Sequence, residues 1–391
     1  MASKSRFSSL AAFLSSIKGD LANITSPPAF LAPESVVEIC TCWAERPSIY
    51  VAAAREPDSQ RRALLVLKWL LASHRRQFYV GANVTAGMKK PLNAFLGEIF
   101  LGQWTDDVTT VKSVTEQVSH HPPVTACYMA DEKYRVWGEG YSRVDMNFTG
   151  VLNVNQTGHS MFYLDGFEEQ FLIPFPSFKV KGFFSAHLYP EIYGTYHVVS
   201  SSGFISEITY SGRGLFGGTK NRVDAKMYQR DDESKTPLYI VSGCWSESFT
   251  IYDGATGDLI DTWVPEDHPP STLEEVPVSQ QDAWESRCAW KEVIAALKAG
   301  DFWRAASEKS KVENAQRSLR KADPDYVSKW EPLFFTASHE PRPDFEALAS
   351  AVPGWEIHSS KTKGVWRFDK QKAGYAQRPY HGGLDPIGSE D

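Results

Sequence analysis

Two adjacent histidines, His120 and His121, directly precede a pair of prolines in the segment that reads Glu-Gln-Val-Ser-His-His-Pro-Pro over residues 116–123. An imidazole can donate a hydrogen bond to an anion or bind a metal ion. Pro122 and Pro123 lack a backbone N–H and have fixed φ angles, and a proline disfavours helical geometry at the residue before it. The segment therefore predicts a rigid, extended stretch that presents both rings to a ligand. An ordinary polar loop would also accommodate a His-His pair.

A second group of charged residues is spaced along one predicted helix. Lys309, Glu313 and Arg317 follow one another at intervals of four residues within the segment 302–321, which has a helical pattern. Four residues advance a helix by about 400°, so the three side chains lie near one face. A surface ladder of salt bridges explains this spacing by itself, so a binding role needs a further argument.

That argument is a resemblance carried by three separated motifs in a fixed order. The segment 116–123, the segment 89–98 (Lys-Lys-Pro-Leu-Asn-Ala-Phe-Leu-Gly-Glu) and the segment 309–321 resemble blocks of the oxysterol-binding-protein-related family, which transfers sterols and phosphoinositides. Residues 8–33 and 43–47 are similar to the short fungal members, which consist of the lipid-binding domain alone. The resemblance covers roughly residues 5 to 370. One departure is Ala94, where the family usually has a second proline.

The resemblance implies two sets of binding residues. For the phosphoinositide headgroup it implies Lys90, Asn93, His120, His121, Lys309, Glu313 and Arg317. Arginine, lysine and imidazolium donors suit a phosphate, whereas Glu313 is expected to orient Lys309 or Arg317 or to meet inositol hydroxyls. Glu98 is expected to orient neighbouring basic groups. For a sterol with a single hydroxyl it implies Trp43, Gln77, Phe78 and Gln156.

The N-terminal thirty residues carry one apolar stripe. Phe7, Leu10, Leu14, Ile17 and Leu21 recur every three or four residues, and the opposite face is mostly serine. One interpretation is a terminal helix that packs on its own domain. The other, which the resemblance favours, is a lid over residues 1–30 that covers a lipid cavity and touches membranes when it opens. A signal peptide does not fit, because serines interrupt the apolar run.

The remaining pattern predicts an α+β fold. Helices are expected over 34–46 and 58–74, within a helical segment 31–94 that packs on a β-barrel. Short punctuated strands from about 95 to 253 predict a large antiparallel β-barrel over 95–264. The resemblance implies that this barrel is nearly complete and encloses a lipid tunnel. A helical and irregular region, 265–391, follows, with helices over 281–298 and 302–321. The tail after about residue 336 has too little periodicity to predict its structure.

Composition excludes several classes of protein. The chain has 391 residues and a formal charge of −7, from 41 basic and 48 acidic residues, so bulk attraction to nucleic acid is not expected. No apolar run approaches the roughly 18 residues of a transmembrane helix. Five cysteines indicate free thiols in a reducing compartment, and their spacing indicates no metal site. No cofactor is expected, and no enzyme, because the nucleophile motif Gly-x-Ser-x-Gly is missing.

These observations predict a monomeric, cytoplasmic lipid-transfer protein that touches organelle membranes transiently. Sterol or phosphatidylinositol 4-phosphate would occupy one tunnel, one lipid at a time, and be exchanged between membranes. Three alternatives stay open on the sequence. The protein could be a phosphoinositide sensor without sterol transfer, an exchanger of phosphatidylserine for phosphatidylinositol 4-phosphate, or a lipid hydrolase that uses His120 as its base.

Overall fold

The computed structural model describes residues 27–80, 84–182, 187–213, 217–357 and 359–388. The five apolar residues of the predicted lid stripe, Phe7 to Leu21, lie outside the described residues. Within these ranges, no helix is both long enough and apolar enough to cross a bilayer.

Strands dominate the described part of the chain. Their bounds are β1 Leu31–Ser35, β2 Lys90–Leu92, β3 Ile99–Thr105, β4 Thr110–His120, β5 Pro123–Asp131, β6 Val136–Phe148, β7 Leu152–Leu164, β8 Glu169–Pro174, β9 Phe178–Lys181, β10 Tyr189–Ile192, β11 Gly194–Ser200, β12 Phe204–Ser211, β13 Arg222–Gln229, β14 Tyr239–Cys244, β15 Phe249–Asp253, β16 Leu259–Trp263, β17 Leu273–Glu274, β18 Phe335–Ser338 and β19 Val365–Phe368. The expected long run of short strands after residue 95 is therefore present.

Fifteen of these strands form one antiparallel sheet. Its order is β16-β15-β14-β13-β12-β11-β8-β7-β6-β5-β4-β3-β17, with β9 paired to β7 and β10 paired to β9. Strands β1 and β2 form a separate parallel pair, and β18 and β19 an antiparallel one. The antiparallel sheet of the predicted α+β fold is confirmed, although no pairing among the described residues joins β16 to β17 and closes it.

Helices pack on both faces of this sheet. They are α1 Val36–Ile39, α2 Pro47–Tyr50, α3 Ser59–Phe78, α4 Ser286–Ala289, α5 Lys291–Ala299, α6 Phe302–Ala322, α7 Pro343–Ala349, α8 Ser359–Thr362 and α9 Lys370–Tyr375, and 3-10 turns occur at Pro28–Phe30, Cys40–Trp43, Ala53–Arg55, Pro265–Asp267, Val278–Gln280 and Tyr380–Gly383. The predicted helix over 34–46 is thus a short helix followed by a 3-10 turn. The one over 281–298 is divided between α4 and α5.

The long helix α3 packs on one face of the sheet, here called the cavity face. Its first turn is capped by Asp58, whose carboxylate accepts a hydrogen bond from the Arg61 backbone N–H at 2.8 Å. Trp69 stacks on Phe162 of β7 with ring centroids 4.7 Å apart. Most of α3 is buried, so its apolar side chains fix the helix against the strands that also line the functional cavity.

The C-terminal segments pack on the opposite face and are held by buried carboxylates. Glu116 of β4 accepts hydrogen bonds from the backbone N–H groups of Leu333 and Phe334 at 2.8 and 2.9 Å. Glu139 of β6 accepts one from the Phe368 N–H at 3.0 Å. These long-range contacts place the aromatic tail, which local periodicity does not specify.

Candidate functional site

A cavity with about 210 Å³ of water-accessible space lies between α3 and the cavity face of β5, β6, β7 and β9. Its wall is largely apolar, which suits a ligand with an extended hydrocarbon surface. The lining residues are Phe30, Val36, Ile39, Cys40, Trp43, Gln77, Phe78, Val80, Met88, Lys89, Lys90, Pro91, Asn93, Ala94, Gln117, Pro123, Thr125, Cys127, Ser142, Val144, Met146, Leu152, Val154, Gln156, Phe175, Phe178, Val180 and Leu188.

Trp43, Gln77, Phe78 and Gln156, which sequence resemblance assigns to sterol binding, all line this cavity. The indole N–H of Trp43 and the Oε1 atom of Gln77 are buried and have no hydrogen-bond partner among the described residues. Gln156 is held in place, since its Nε2 donates to the Pro176 carbonyl at 2.8 Å. A buried polar atom without a hydrogen-bond partner costs free energy. A ligand hydroxyl can both accept and donate, so it could satisfy one free donor and one free acceptor.

Lys90 joins this cavity to a group of basic residues. Its ammonium lies at the cavity wall and donates to Asn93 Oδ1. Burial, with repulsion from Lys309, lowers the pKa of Lys90 to about 7, and the carboxylate of Glu313 only partly opposes this shift. An anion that reaches Lys90 would stabilise its charged form. We call the Lys90 side of the cavity its basic end.

Helix α6 supplies the next charges. Lys309 is 4% exposed and forms an ion pair with Glu313. Arg317 approaches the same carboxylate, with its Nη2 3.7 Å from Glu313 Oε2, and its Nη1 donates to Asn314 Oδ1 at 2.7 Å. Glu313 therefore lies between the two cations, as expected for an orienting role.

The two histidines lie at a tight turn between β4 and β5, where His120 pairs with Pro123. Strand β4 thus runs extended as far as His120, and the chain turns at His121 and Pro122. Their ring centroids are 4.5 Å apart. Burial and the neighbouring His121 and Arg320 side chains lower the pKa of His120 to about 4, and a hydrogen bond to the Ala94 backbone opposes this shift.

His121, in the turn itself, is also close to Arg320. Partial burial, Arg320 and Lys363 lower its pKa. The His120 Nδ1 atom is buried and has no hydrogen-bond partner among the described residues. These shifts favour the neutral form of both rings in the free protein, and the Arg320 and Lys363 cations contribute to them. An anion entering between them would be attracted by those cations and would favour protonation of the rings.

The apolar cavity thus has Lys90 in its wall and the His-His turn beside it, next to the lining residue Pro123. A model of the family described as "Oxysterol-binding protein" matches residues 9–295. The chain is 33% identical to Protein kes1 of Schizosaccharomyces pombe over 340 residues, which are 85% of this chain and 87% of that protein. The chain belongs to the oxysterol-binding protein family.

Other family members extend the comparison. The chain is 46% identical over 376 residues to the "Probable transporter efuK" of Hormonema carpetanum; the match covers 95% of this chain but only 54% of that relative's length. The Osh1 ORD domain, solved in complex with ergosterol, superposes with a TM-score of 0.69 at 21% identity, covering 93% of this chain and 87% of that one. The Osh3 ORD of Saccharomyces cerevisiae in complex with PI(4)P gives a TM-score of 0.66 at 20% identity, covering 84% and 86%.

The family fold agrees with the expected barrel-like architecture, and most expected site residues lie together. One expectation was wrong: in the part of the chain that the structure describes, Glu98 forms no hydrogen bond or ion pair with a basic side chain. Its Oε2 accepts hydrogen bonds from the Phe95 N–H at 3.1 Å and the Trp290 indole N–H at 2.9 Å. These two hydrogen bonds link the junction of α4 and α5 to the loop after β2. Burial raises the pKa of Glu98 to about 7. Two cations that the motifs did not single out, Arg320 and Lys363, lie beside His121.

Proposed function

We propose that this protein is a lipid-transfer protein that holds either a sterol or phosphatidylinositol 4-phosphate in its cavity and exchanges the two between membranes. The observation that carries the proposal is the continuity between the apolar cavity and Lys90, the cation where the basic cluster begins. A lipid with a phosphorylated headgroup fits both parts, whereas a sterol fits the apolar part alone. The exchange follows because one cavity cannot hold both lipids.

The apolar part supports the sterol half of the proposal. Trp43 and Gln77 offer one free buried donor and one free buried acceptor, enough for a single hydroxyl. The Phe78 ring packs edge-on against Phe178 with centroids 5.1 Å apart, giving a rigid aromatic wall. A rigid ring system loses little conformational freedom on entering such a wall, so apolar burial supplies most of its affinity.

The basic part supports the phosphoinositide half. Lys90 and Asn93 line the cavity, and Lys309 lies close enough to lower the Lys90 pKa. We assign these residues, together with His120, His121, Glu313 and Arg317, to the headgroup. Phosphate is the anion that best matches several converging donors of this kind, because each charge-assisted hydrogen bond strengthens in a water-poor site.

The N-terminal segment is proposed to close the cavity. Residues 1–26 lie outside the described residues, but the turn Pro28–Phe30 follows them directly and Phe30 lines the cavity. The stripe from Phe7 to Leu21 would then cover the opening and lie on a membrane surface during loading. The proposal places a monomer in the cytoplasm, in transient contact with organelle membranes, and treats residues 1–30, 31–94, 95–264 and 265–391 as parts of one lipid-binding domain.

Phosphoinositide affinity should fall as the pH rises from 7 to 9. The free protein has Lys90 with a pKa of about 7, and a bound phosphate raises that pKa, so binding takes up a proton in this range. The phosphoinositide affinity is highest below the pKa that Lys90 has in the lipid-free protein, and it declines as the pH rises above that pKa. The phosphate itself is already doubly ionised there, since its second pKa is about 6.

Extraction of phosphatidylinositol 4-phosphate from liposomes between pH 7 and 9 measures this dependence. The matched control is Lys90→Arg, which keeps its charge throughout and should give a flatter profile. Profiles of equal slope in the wild-type protein and the Arg variant would show that Lys90 does not take up the proton.

Displacement of one lipid by the other tests the proposed function. The protein is loaded with a fluorescent sterol, and liposomes with or without phosphatidylinositol 4-phosphate are added. We expect sterol release only with the phosphoinositide. Simultaneous binding of both lipids, or no sterol binding at all, would contradict a shared cavity. Sterol release by liposomes with phosphatidylserine, and not by those with phosphatidylinositol 4-phosphate, would mean that phosphatidylserine is the lipid that competes with sterol.

A further inference from the structure

Two of the cysteines lie in the wall of the cavity. Cys40, the first residue of the 3-10 turn after α1, is half-buried and lines the cavity, and Cys127 of β5, which is 2% exposed, lines it as well. All five cysteines are among the described residues and all are free thiols. A buried cysteine often serves only as a small apolar side chain, so a reactive role needs further observations.

Backbone contacts place these two thiols side by side. Cys127 is paired with Thr115 across β5 and β4, and directly opposed residues of antiparallel strands point their side chains to the same face. The Thr115 hydroxyl donates a hydrogen bond to the Val37 carbonyl at 2.6 Å. Val37 belongs to α1, and Cys40 follows it by three residues, which is nearly one helical turn. This contact therefore holds the turn that carries Cys40 beside the strand that carries Cys127.

A hydrogen bond between the two side chains makes the thiols chemically unequal. The bond from the Cys127 thiol lowers the pKa of Cys40, and burial only partly opposes this shift. The same bond, together with burial, raises the pKa of Cys127 well above its usual range. Because the thiolate is the nucleophilic form of cysteine, Cys40 is the thiol suited to attack and Cys127 the one that keeps its proton.

Cys42 has neither of these advantages. It lies two residues after Cys40 in the same 3-10 turn and is 3% exposed, but it is not among the residues that line the cavity. Burial and the nearby Glu45 carboxylate raise the pKa of Cys42 well above its usual range. Cys42 is therefore a buried thiol without access to the cavity, and it provides a matched control.

We propose that Cys40 and Cys127 form a reactive thiol pair that reduces the hydroperoxide of an apolar lipid held in the cavity. The terminal peroxide oxygen is transferred to the Cys40 sulfur: an S–O bond forms, the O–O bond breaks, and the leaving alkoxide takes the proton that the Cys40 thiol gave up. The products are a lipid alcohol and a sulfenic acid at Cys40. The Cys127 sulfur then attacks that sulfenic acid, a disulfide forms and water leaves. The two thiols together lose the two electrons that the hydroperoxide gains.

The cavity wall favours a lipid hydroperoxide as the oxidant. A hydrocarbon chain buries against the apolar lining, whereas the peroxide group needs a polar partner near the thiols. Thr125, two residues before Cys127 on β5, points to the same face and also lines the cavity. Its hydroxyl donates to Gln117 Oε1 at 2.7 Å, so its oxygen is left to accept a hydrogen bond from a peroxide O–H. The reaction requires only that an apolar lipid enters the cavity, and it goes beyond the exchange of two lipids.

The test incubates the reduced wild-type protein, freed of reductant, with the hydroperoxide of methyl linoleate under argon. The hydroxy ester is quantified by chromatography, and disulfides are mapped by mass spectrometry of an unreduced digest. We expect equimolar amounts of hydroxy ester and of a disulfide between Cys40 and Cys127. Cys40→Ser should abolish both products. Cys127→Ser should still form the hydroxy ester but should keep a sulfenic acid at Cys40, which dimedone labels.

Cys42→Ser is the control for loss of a buried thiol in the same turn, and it should react at the wild-type rate. Equal losses of hydroxy ester in Cys42→Ser and Cys40→Ser would overturn the proposal. So would a wild-type protein that forms no hydroxy ester, or one that forms it without a disulfide between Cys40 and Cys127.

A second comparison tests whether the reaction takes place in the cavity. Val154 lines the cavity, so Val154→Trp places an indole in it. Oxidation by the lipid hydroperoxide should then slow by about tenfold or more, whereas the much smaller hydrogen peroxide should oxidise the pair at an unchanged rate. Wild-type rates with both oxidants in Val154→Trp would place the reaction outside the cavity and overturn the proposal. Neither measurement contains sterol or phosphoinositide, so failure of lipid exchange would leave both results unchanged.

Discussion

The double variant His120→Ala, His121→Ala should lose extraction of phosphatidylinositol 4-phosphate by about a hundredfold while keeping its sterol affinity. Each imidazole that donates to a phosphate contributes roughly 1.5 kcal/mol or more, so two donors give this factor. Neither histidine is among the residues that line the cavity. A sterol therefore has no contact to lose.

Liposome extraction of each lipid measures the two affinities separately. His339→Ala, which removes an exposed histidine from the loop after β18, serves as the control for histidine loss in general. Thermal unfolding checks that the double variant remains folded. An equal loss of sterol and phosphoinositide binding in a folded double variant would contradict the division of the site into an apolar and a basic part.

Filling the cavity should instead weaken binding of both lipids. Val154 of β7 is 3% exposed and lines the cavity, so Val154→Trp places an indole inside the space of about 210 Å³. Forcing a ligand against inserted methylene groups costs about 1–3 kcal/mol, so each lipid should bind roughly tenfold or more weakly. His120 and His121 are unchanged in this variant, but they cannot compensate for the loss of space for the hydrocarbon part of the lipid.

The next residue of the same strand supplies the control. Side chains alternate along a strand, so Asn155→Trp places the same indole on the opposite face. We expect its lipid affinities to match those of the wild-type protein. Loss of sterol binding alone in Val154→Trp would mean that the two lipids occupy different spaces and would contradict mutual exclusion.

Local sequence signals were sufficient for the elements that carry the headgroup site. The helix expected over 302–321 is α6, because the Asp301 carboxylate caps it by accepting a hydrogen bond from the Arg304 N–H at 3.0 Å, and its periodicity is regular. The strands followed from punctuated alternation in the same way. The wall of the cavity could not be derived locally, since Trp43, Gln77 and Gln156 come from distant segments and were indicated only by family resemblance.

Two features depend on tertiary contacts and left no local signal. The tail after residue 336 is fixed by buried carboxylates such as Glu139, which accepts a hydrogen bond from the Phe368 N–H across 229 residues of sequence. The lowered pKa of Lys90 depends on its burial beside Lys309, 219 positions away along the chain.

Transfer between two liposome populations tests the central claim most directly. One population carries a fluorescent sterol and the other carries phosphatidylinositol 4-phosphate, and both lipids are followed in the presence of catalytic amounts of protein. A shared cavity predicts counter-transport, in which each lipid accelerates movement of the other and sterol can move against its own gradient. Independent movement of the two lipids, or phosphoinositide transfer that is unaffected by sterol, would contradict exchange through one cavity.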